Sequence, residues 1–444
     1  MMTNDRQEEM RDVESTCTIQ CVQDLENISN LSRILNRPTE SIRNVNVKTL
    51  AESDSDAIDG VLSKIYQLSI ESIDGNELCY ENFIAKFQRS EPSMQQEPFV
   101  SMMEIESNFY DIFPDLWKRK GLELSFQLPV VRYANHHCIL MEKIQDLLPG
   151  IQSIDSNSRA KQLIGTVLEK VACLHAAFWN DEVLQTEACH LSPFPGMGAY
   201  LNGEQKEEMY TDSCETFLDY VGRRENEEFI LGTLTSEERQ RFHDICRDFS
   251  RRQLRDIHSY VHERAQFALV HGDLHFGNML FHECSSHSED GKENNQEIYL
   301  IDWATCGQGN PMRDIAFFRI LCMDVDEREV MESYLPRYYS SLCKSYSTQP
   351  HYHSKCQQEE GIKDTFTWEA CQEGYDMCIL NQFLILICYH ELTESFIYQE
   401  GLEEEVRVSR SRHFQGVYRR CIKALLQSYS RVEIRSQLPP NINK

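Results

Sequence analysis

Three oxygen-bearing side chains stand at short spacings near the middle of the chain. Asp273 and Asn278 are five residues apart in His-Gly-Asp-Leu-His-Phe-Gly-Asn, and Asp302 follows the apolar run Ile298–Ile301. Carboxylate and amide oxygens are hard ligands that suit Mg²⁺, whose other positions are filled by water and phosphate oxygens. A phosphoryl-transfer site mainly positions groups and neutralises charge. The stretch therefore predicts such a site, with Asn278 and Asp302 as metal ligands and Asp273 free to orient an acceptor hydroxyl.

A lysine earlier in the chain is the candidate for holding phosphates. Lys86 lies in the apolar, β-like run 82–87, where an unpaired ammonium is costly to bury. One interpretation is an edge strand from which Lys86 extends to water. The other is a strand lysine that holds nucleotide phosphates and needs a glutamate partner. Within a predicted helix over 100–113, Glu106 is on the apolar face, because its neighbours three and four residues away are Met102, Met103, Phe109 and Tyr110.

The order of these motifs resembles that of a known group of kinases. His-Gly-Asp-x-x-x-x-Asn, then Ile-Asp-Trp and Asp-Ile-Ala-Phe, is similar to the signature of the aminoglycoside phosphotransferase and choline kinase group. Leu-His-Ala-Ala-Phe-Trp and Val-His-Gly-Asp-Leu-His-x-Gly-Asn resemble its ecdysteroid-kinase-like, or CHK-kinase-like, branch. The resemblance implies ATP and Mg²⁺ as cofactors. It also implies an α+β, bilobal, protein-kinase-like fold, with a small N-terminal antiparallel sheet lobe carrying one helix and a larger, mainly helical C-terminal lobe.

The remaining candidate site residues depend partly on this resemblance. A turn before the strand 65–68 could cover nucleotide phosphates with backbone N–H groups, Gly60 and Ser63 being nearest, although an ordinary turn explains it equally. In the kinase arrangement, backbone groups near Met141 and Lys143 bind adenine. His271 is expected to support the catalytic loop, and Asp314 to bond its backbone. The apolar stripe around His175 favours a hydrogen-bonded core histidine over a ligand.

Composition narrows the class of protein further. The chain has 444 residues and a formal net charge of −27, which argues against nucleic acid as a partner, although it would suit a cationic substrate. Its 17 cysteines contain no Cys-x-x-Cys pair, so we expect reduced thiols and a cytoplasmic location. Residues 1–16 are polar and charged, so we expect no signal peptide. The apolar segment 377–389 is interrupted by Asn381-Gln382 and too short for a membrane span, which favours a buried helix.

These observations give a domain plan and a functional hypothesis. We expect a polar, disordered extension over 1–40, a nucleotide-binding lobe over 41–142, a catalytic and substrate lobe over 143–435, and a tail over 436–444. The leading hypothesis is a phosphotransferase acting on a small-molecule hydroxyl, since Ile-Asp-Trp replaces the Asp-Phe-Gly of protein kinases. The alternative is a catalytically silent pseudokinase that acts as a scaffold. The acceptor's identity, and whether the protein is a monomer or a homodimer, stay open.

Overall fold

The computed structural model describes residues 19–49, 63–74, 77–88, 99–120, 125–144, 158–181, 203–249, 256–257, 259–261, 267–282, 297–348, 362, 366–399 and 402–437. Its strands are β1 (Ile42–Thr49), β2 (Ser63–Asp74), β3 (Glu77–Gln88), β4 (Val131–Ala134), β5 (Cys138–Glu142), β6 (Ala268–Val270), β7 (Met279–His282), β8 (Glu297–Leu300) and β9 (Gly307–Gly309).

The α-helices are α1 (Val22–Glu26), α2 (Ile28–Ile34), α3 (Phe99–Lys120), α4 (Ser158–Ala177), α5 (Gly203–Gly222), α6 (Arg224–Leu231), α7 (Ser236–Asp248), α8 (Met312–Cys322), α9 (Glu327–Glu329), α10 (Leu335–Ser347), α11 (Trp368–Cys388), α12 (His390–Ile397) and α13 (Glu404–Gln437). A π-helical turn, Val330–Tyr334, links α9 to α10, and a 3₁₀ turn, Phe276–Asn278, precedes β7.

An antiparallel sheet with the strand order β1-β2-β3-β5-β4 forms the centre of the N-terminal part. β2 and β3 pair from Ser63 opposite Gln88 to Asp74 opposite Glu77. The sequence Asp74-Gly75-Asn76 is typical of a turn that joins two strands, and this pairing shows such a hairpin, with residues 75 and 76 themselves outside the described ranges. β3 also pairs with β5, so it is an inner strand with neighbours on both sides.

Two short helices that precede the sheet in the sequence contribute to its hydrophobic core. Ile19, Leu25 and Leu31 are fully buried in one cluster with apolar residues of β2, β3 and β5. The prediction of a disordered extension over 1–40 is therefore wrong for residues 19–40, while residues 1–18 lie outside the described part. The sequence signal was weak because isolated apolar residues in five- and seven-residue helices give no sustained periodicity.

α3 is longer than its predicted span of 100–113. Buried residues recur at helical spacing along it, at Met103, Glu106, Phe109, Tyr110, Phe113, Leu116 and Trp117, and Ile105 and Ser107 beside this stripe are also buried. Its last turn carries Lys118, Arg119 and Lys120, whose positive charges suit the negative end of the helix dipole. This face fixes the direction in which Glu106 points, which is into the N-terminal unit.

The C-terminal part is mainly helical. α4 packs against α10, and α11 packs against α8 and α13. α11 covers residues 377–388 of the segment 377–389 that was expected to be a buried helix, and that prediction is confirmed, since Ile379, Leu380 and Phe383 are buried. Within the described ranges, no helix combines the length and apolar character needed to cross a membrane.

The contacts divide the chain into two compact units, one of residues 1–120, 127–149 and 280–304, the other of 121–126, 150–279 and 305–444. The α+β architecture with a sheet unit and a mainly helical unit is confirmed. The bounds of the two units differ from the sequence-based plan. The N-terminal unit carries α1 and α2 as well as α3, and it includes residues 280–304, because β7 pairs with β8 and Tyr299 bridges to Gln127.

Leu31→Ala tests whether the N-terminal helices contribute to the stability of the sheet unit. Leu31 is fully buried, so its truncation should lower the free energy of unfolding by about 2–5 kcal/mol. Urea denaturation followed by circular dichroism gives this quantity. Leu78→Ala, at a position 49 % exposed on β3, is the matched control and should change little. Equal effects of the two substitutions would contradict the packing of Leu31 in the core of the sheet unit.

Candidate active site

Lys86 lies on the inner strand β3, opposite Ile65 of β2 and Ile139 of β5. Its side chain does not extend from an edge strand to water, because the residue is only 7 % exposed. The edge-strand interpretation is therefore wrong. An ammonium at such a position needs partners of opposite charge, since an unpaired buried charge is strongly unfavourable.

Two carboxylates supply that charge within the N-terminal unit. Lys86 Nζ lies 2.6 Å from Glu106 Oε2 and 2.7 Å from Asp302 Oδ1. Burial disfavours the charged ammonium, but Asp302 and Glu106 outweigh this effect and raise the pKa of Lys86. For Glu106, burial disfavours the charged carboxylate and raises its pKa, and the nearby ammonium of Lys86 opposes that rise. Removing either partner of such a pair leaves an uncompensated charge, which costs about 3–5 kcal/mol.

Asp302 adopts an unusual backbone conformation just after β8. Its φ of +61° is in the left-handed region, which is strained for a residue with a side chain and is found preferentially at functional sites. Oδ1 accepts the Lys86 hydrogen bond, and the side chain remains 38 % exposed. The other carboxylate oxygen, Oδ2, accepts no hydrogen bond from another residue in the described ranges.

Trp303 holds this conformation by stacking on α3. Its ring lies parallel to that of Phe109, with centroids 4.0 Å apart and planes 9° apart, and Phe113 stacks beside it. Trp303 Nε1 also donates to the carbonyl of Leu300 at 3.0 Å. Phe109 is one helical turn from Glu106, so α3 is tied to the Asp302 segment by an aromatic stack as well as through Lys86. Sequence reasoning missed this stack, although the tryptophan after Asp302 was a signal for it.

In the C-terminal unit, β6 pairs with β9 and leads directly into the His-Gly-Asp loop. Gly272 has φ +83°, and a Cβ there would lie 2.3 Å from the carbonyl oxygen of Thr305. Thr305 Oγ1 in turn donates to the carbonyl of His271 at 3.1 Å. Both the backbone conformation and the available space therefore require glycine between His271 and Asp273.

Asp314, in the first turn of α8, binds the backbone of this loop. Its carboxylate accepts the N–H groups of His271 and Gly272, each at 2.8 Å, and Nε2 of His175 at 3.1 Å. His175 is fully buried and its Nδ1 contacts Tyr338 Oη at 2.8 Å. Burial alone would raise the pKa of Asp314, but His175 and the backbone donors outweigh it, and the pKa is lowered. His175 is thus the hydrogen-bonded core histidine that its apolar stripe predicted, and it also supports the loop.

Asp273 and Asn278 meet across this loop. Asn278 Nδ2 donates to the Asp273 carbonyl at 3.0 Å and to Asp273 Oδ2 at 3.1 Å. With its nitrogen engaged, the amide presents the oxygen Oδ1 as its remaining acceptor, which is the atom a Mg²⁺ ligand needs. Burial would raise the pKa of Asp273, but His275, His271 and Asn278 together lower it to about 2. Its carboxylate is therefore ionised at neutral pH.

The structure describes three of the four residues that were expected to contact the nucleotide through their backbone. Gly60 lies outside the described residues, and Ser63 is the buried first residue of β2. Met141 is in β5, and the N–H of Lys143 donates to the carbonyl of Asn82 at 2.8 Å. Because that N–H is engaged in the sheet, an adenine contact by the Lys143 backbone would use its carbonyl. The roles of these four residues stay predictions.

An internal lysine paired with a helix glutamate, and a loop in which an aspartate precedes an asparagine by five residues, are features of kinases. Residues 57–348 match the ecdysteroid kinase-like family. This match includes more than half of the 444 residues, and the chain therefore belongs to the ecdysteroid kinase-like family. No relative is found among proteins with curated descriptions.

Several solved structures are similar to this chain. A choline kinase from Cryptosporidium parvum Iowa II has 12% identity and a TM-score of 0.44, with 90% of this chain and 93% of that chain covered. An ethanolamine kinase from Plasmodium vivax has 10% identity and a TM-score of 0.38, covering 98% and 95%. A putative fructosamine-3-kinase from Thermobifida fusca YX-ER1 has 13% identity and a TM-score of 0.37, covering 88% and 99%.

Asp314→Asn should weaken the dependence of stability on acid pH. Because the pKa of Asp314 is lowered on folding, its ionised form stabilises the protein above the unfolded-state pKa of about 3.9. That contribution is lost as the pH falls from there through the folded-state pKa. We expect the free energy of unfolding, measured by urea titration between about pH 7 and pH 3, to fall less steeply in the variant than in the wild type.

The exposed Asp111→Asn is the control for this comparison and should follow the wild-type pH dependence. Parallel curves for the wild type and Asp314→Asn would show that the loop does not depend on the Asp314 carboxylate.

Proposed function

We propose that this protein transfers the γ-phosphoryl group of ATP, in a Mg²⁺-dependent reaction, to a hydroxyl group of a small molecule. The observation that carries the proposal is the position of Lys86, whose ammonium is held between Glu106 and Asp302 on an inner strand. Buried ion pairs add little net stability compared with apolar side chains, so stability alone does not account for this one. A cation poised beside a partly exposed carboxylate suits a phosphate ligand with its metal ion.

Each side chain would have a role that follows from its chemistry. Lys86, oriented by Glu106, would hold the phosphates that are not transferred. Asn278 Oδ1 and Asp302 Oδ2 fit Mg²⁺, because both are hard oxygen ligands without a hydrogen bond from another described side chain. When bound, the ion offsets negative charge on the phosphate oxygens. Gly60 and Ser63 would contact phosphates, and Met141 and Lys143 the adenine, through backbone groups.

Asp273 would act on the acceptor hydroxyl. Its carboxylate orients the O–H and accepts the proton late in the transfer, as a bond forms from the hydroxyl oxygen to the γ-phosphorus. The bond between the γ-phosphorus and the β–γ bridging oxygen breaks, and ADP leaves with that electron pair. The products are a phosphate monoester and ADP, and the proton passes from Asp273 to water. An ionised Asp273, with its pKa near 2, is in the protonation state that this step requires.

The family's description makes an ecdysteroid the first acceptor to test, and the similar solved structures add choline and ethanolamine to a panel. The purified full chain would be incubated with Mg²⁺, ATP and each compound, and then with a metabolite extract. Mass spectrometry would detect a phosphorylated product. Absence of turnover with every hydroxyl compound would favour the pseudokinase alternative.

Asp273→Asn should lower kcat by roughly 10²–10⁴-fold, because an amide cannot accept the hydroxyl proton. The measurement is ADP release coupled to product formation with whichever panel compound is phosphorylated. Asp244→Asn, on the exposed surface of α7 in the same unit, is the control and should keep wild-type kcat. Retained phosphotransfer in Asp273→Asn would show that the catalytic assignment is wrong.

Lys86→Met should weaken Mg²⁺-ATP binding by about tenfold or more, a loss of roughly 1.4 kcal/mol, because the phosphates lose their ammonium partner. Isothermal titration calorimetry measures this directly. Since the substitution leaves Glu106 buried without a counter-charge, Lys86→Met/Glu106→Gln is a second variant that removes both charges and protects the fold.

Lys48→Met, on the exposed face of β1, is the control in the same sheet. Unchanged nucleotide affinity in both Lys86 variants would refute the assigned role.

A further inference from the structure

The imidazole of His275 lies inside the loop that joins Asp273 to Asn278. Its Nδ1 accepts the backbone N–H of Gly277 at 3.0 Å. An imidazole nitrogen that accepts a hydrogen bond carries no proton, so the hydrogen of the neutral ring is on Nε2. The backbone of the loop therefore selects the Nε2–H tautomer of His275.

The protonated nitrogen faces the carboxylate of Asp273. Nε2 lies 3.6 Å from Asp273 Oδ2, which is longer than a hydrogen bond but close enough for the N–H dipole to attract the charged oxygen. Asn278 Nδ2 donates to the same oxygen at 3.1 Å. Oδ2 thus has two N–H groups directed at it, whereas Oδ1 has no hydrogen bond from any residue in the described ranges. The two oxygens of the carboxylate are not equivalent.

Gly277 makes the position of the ring possible. A Cβ at residue 277 would lie 2.7 Å from Cε1 and 2.8 Å from Nδ1 of His275. Real Cβ atoms do not approach other atoms so closely, so any side chain at 277 would displace the imidazole. This glycine is needed for space and not for a left-handed backbone conformation, in contrast to Gly272 with its φ of +83°.

We propose that His275 is a positioning residue for Asp273. Held by Gly277, it helps Asn278 to fix Oδ2, so that Oδ1 is the oxygen presented to the acceptor hydroxyl. This inference rests on the proposed phosphotransferase function, in which Asp273 receives the hydroxyl proton. The ring of Phe317, with its centroid 6.4 Å from that of His275, is a packing neighbour, so a purely structural role of His275 is the competing explanation.

A spectroscopic experiment tests the geometry without requiring turnover. Long-range ¹H–¹⁵N correlation spectra of the full chain labelled with ¹⁵N-histidine report the tautomer of each imidazole, and His275→Gln assigns the signal of residue 275. We expect the Nε2–H tautomer in the wild type, a shift of the Nε2 resonance in Asp273→Asn, and loss of the fixed tautomer in Gly277→Ala. An Nδ1–H tautomer, or no response to Asp273→Asn, would overturn the proposal.

A kinetic double-mutant cycle tests the consequence. The acceptor in this assay is ecdysone. If ecdysone is not phosphorylated, water is the acceptor and ADP release is measured. In either assay, His275→Ala should lower kcat by about tenfold to a hundredfold, because Asp273 is misplaced. The KM for ATP should stay within about twofold, because ground-state binding is untouched. His275→Gln keeps an N–H near the place of Nε2 and should recover most of kcat.

Gly277→Ala alone should lower kcat as His275→Ala does, whereas in the His275→Ala background it should have little further effect, since no ring remains to be displaced. Full additivity of the two substitutions, or no rescue by His275→Gln, would support a structural role and overturn the proposal.

The two proposals fail in different ways. If Asp273→Asn leaves phosphotransfer intact, the proposed function fails, whatever His275 does. If Asp273→Asn abolishes phosphotransfer while His275→Ala keeps kcat within about twofold, only the positioning role of His275 is wrong.

Discussion

A lysine ammonium inside a β-sheet imposes a strict requirement on the structure around it. Lys86 can remain charged on an inner strand only because Glu106 and Asp302 place carboxylate oxygens within hydrogen-bonding distance. Glu106 must then be on the inward face of α3, and Asp302 must leave β8 in a left-handed conformation. The Phe109–Trp303 stack satisfies both needs, because it joins the same helix to the residue that follows Asp302.

An analogous requirement organises the loop of the C-terminal unit. There the buried charge is negative, and the partners of Asp314 are two backbone N–H groups and an imidazole, not an ammonium. Fixing the backbone at His271 and Gly272 leaves the next residue, Asp273, in a defined place. Each unit thus uses a buried charge to hold a group that remains accessible to solvent, Asp302 in one and Asp273 in the other.

Much of this was predictable, because the relevant patterns are local. The internal position of Glu106 followed from the spacing of apolar residues on one helix, and the β2–β3 hairpin followed from Asp74-Gly75-Asn76 between two strand-like runs. The helices α1 and α2 were not predicted. Ile19, Leu25 and Leu31 are single apolar residues among polar neighbours in the sequence. Only their packing against the sheet shows that they belong to the hydrophobic core.

The sequence alone determined the chemistry available to this protein: a strand lysine, a helix glutamate, and an aspartate and an asparagine five residues apart, followed by a second aspartate. It did so because residue type and spacing report which atoms can meet along one helix, strand or turn. Tertiary structure decided which atoms do meet. The inner position of β3, the two ion pairs of Lys86 and the support of Asp314 by His175 join residues far apart in the chain, and strand order and packing, which local patterns do not encode, bring them together.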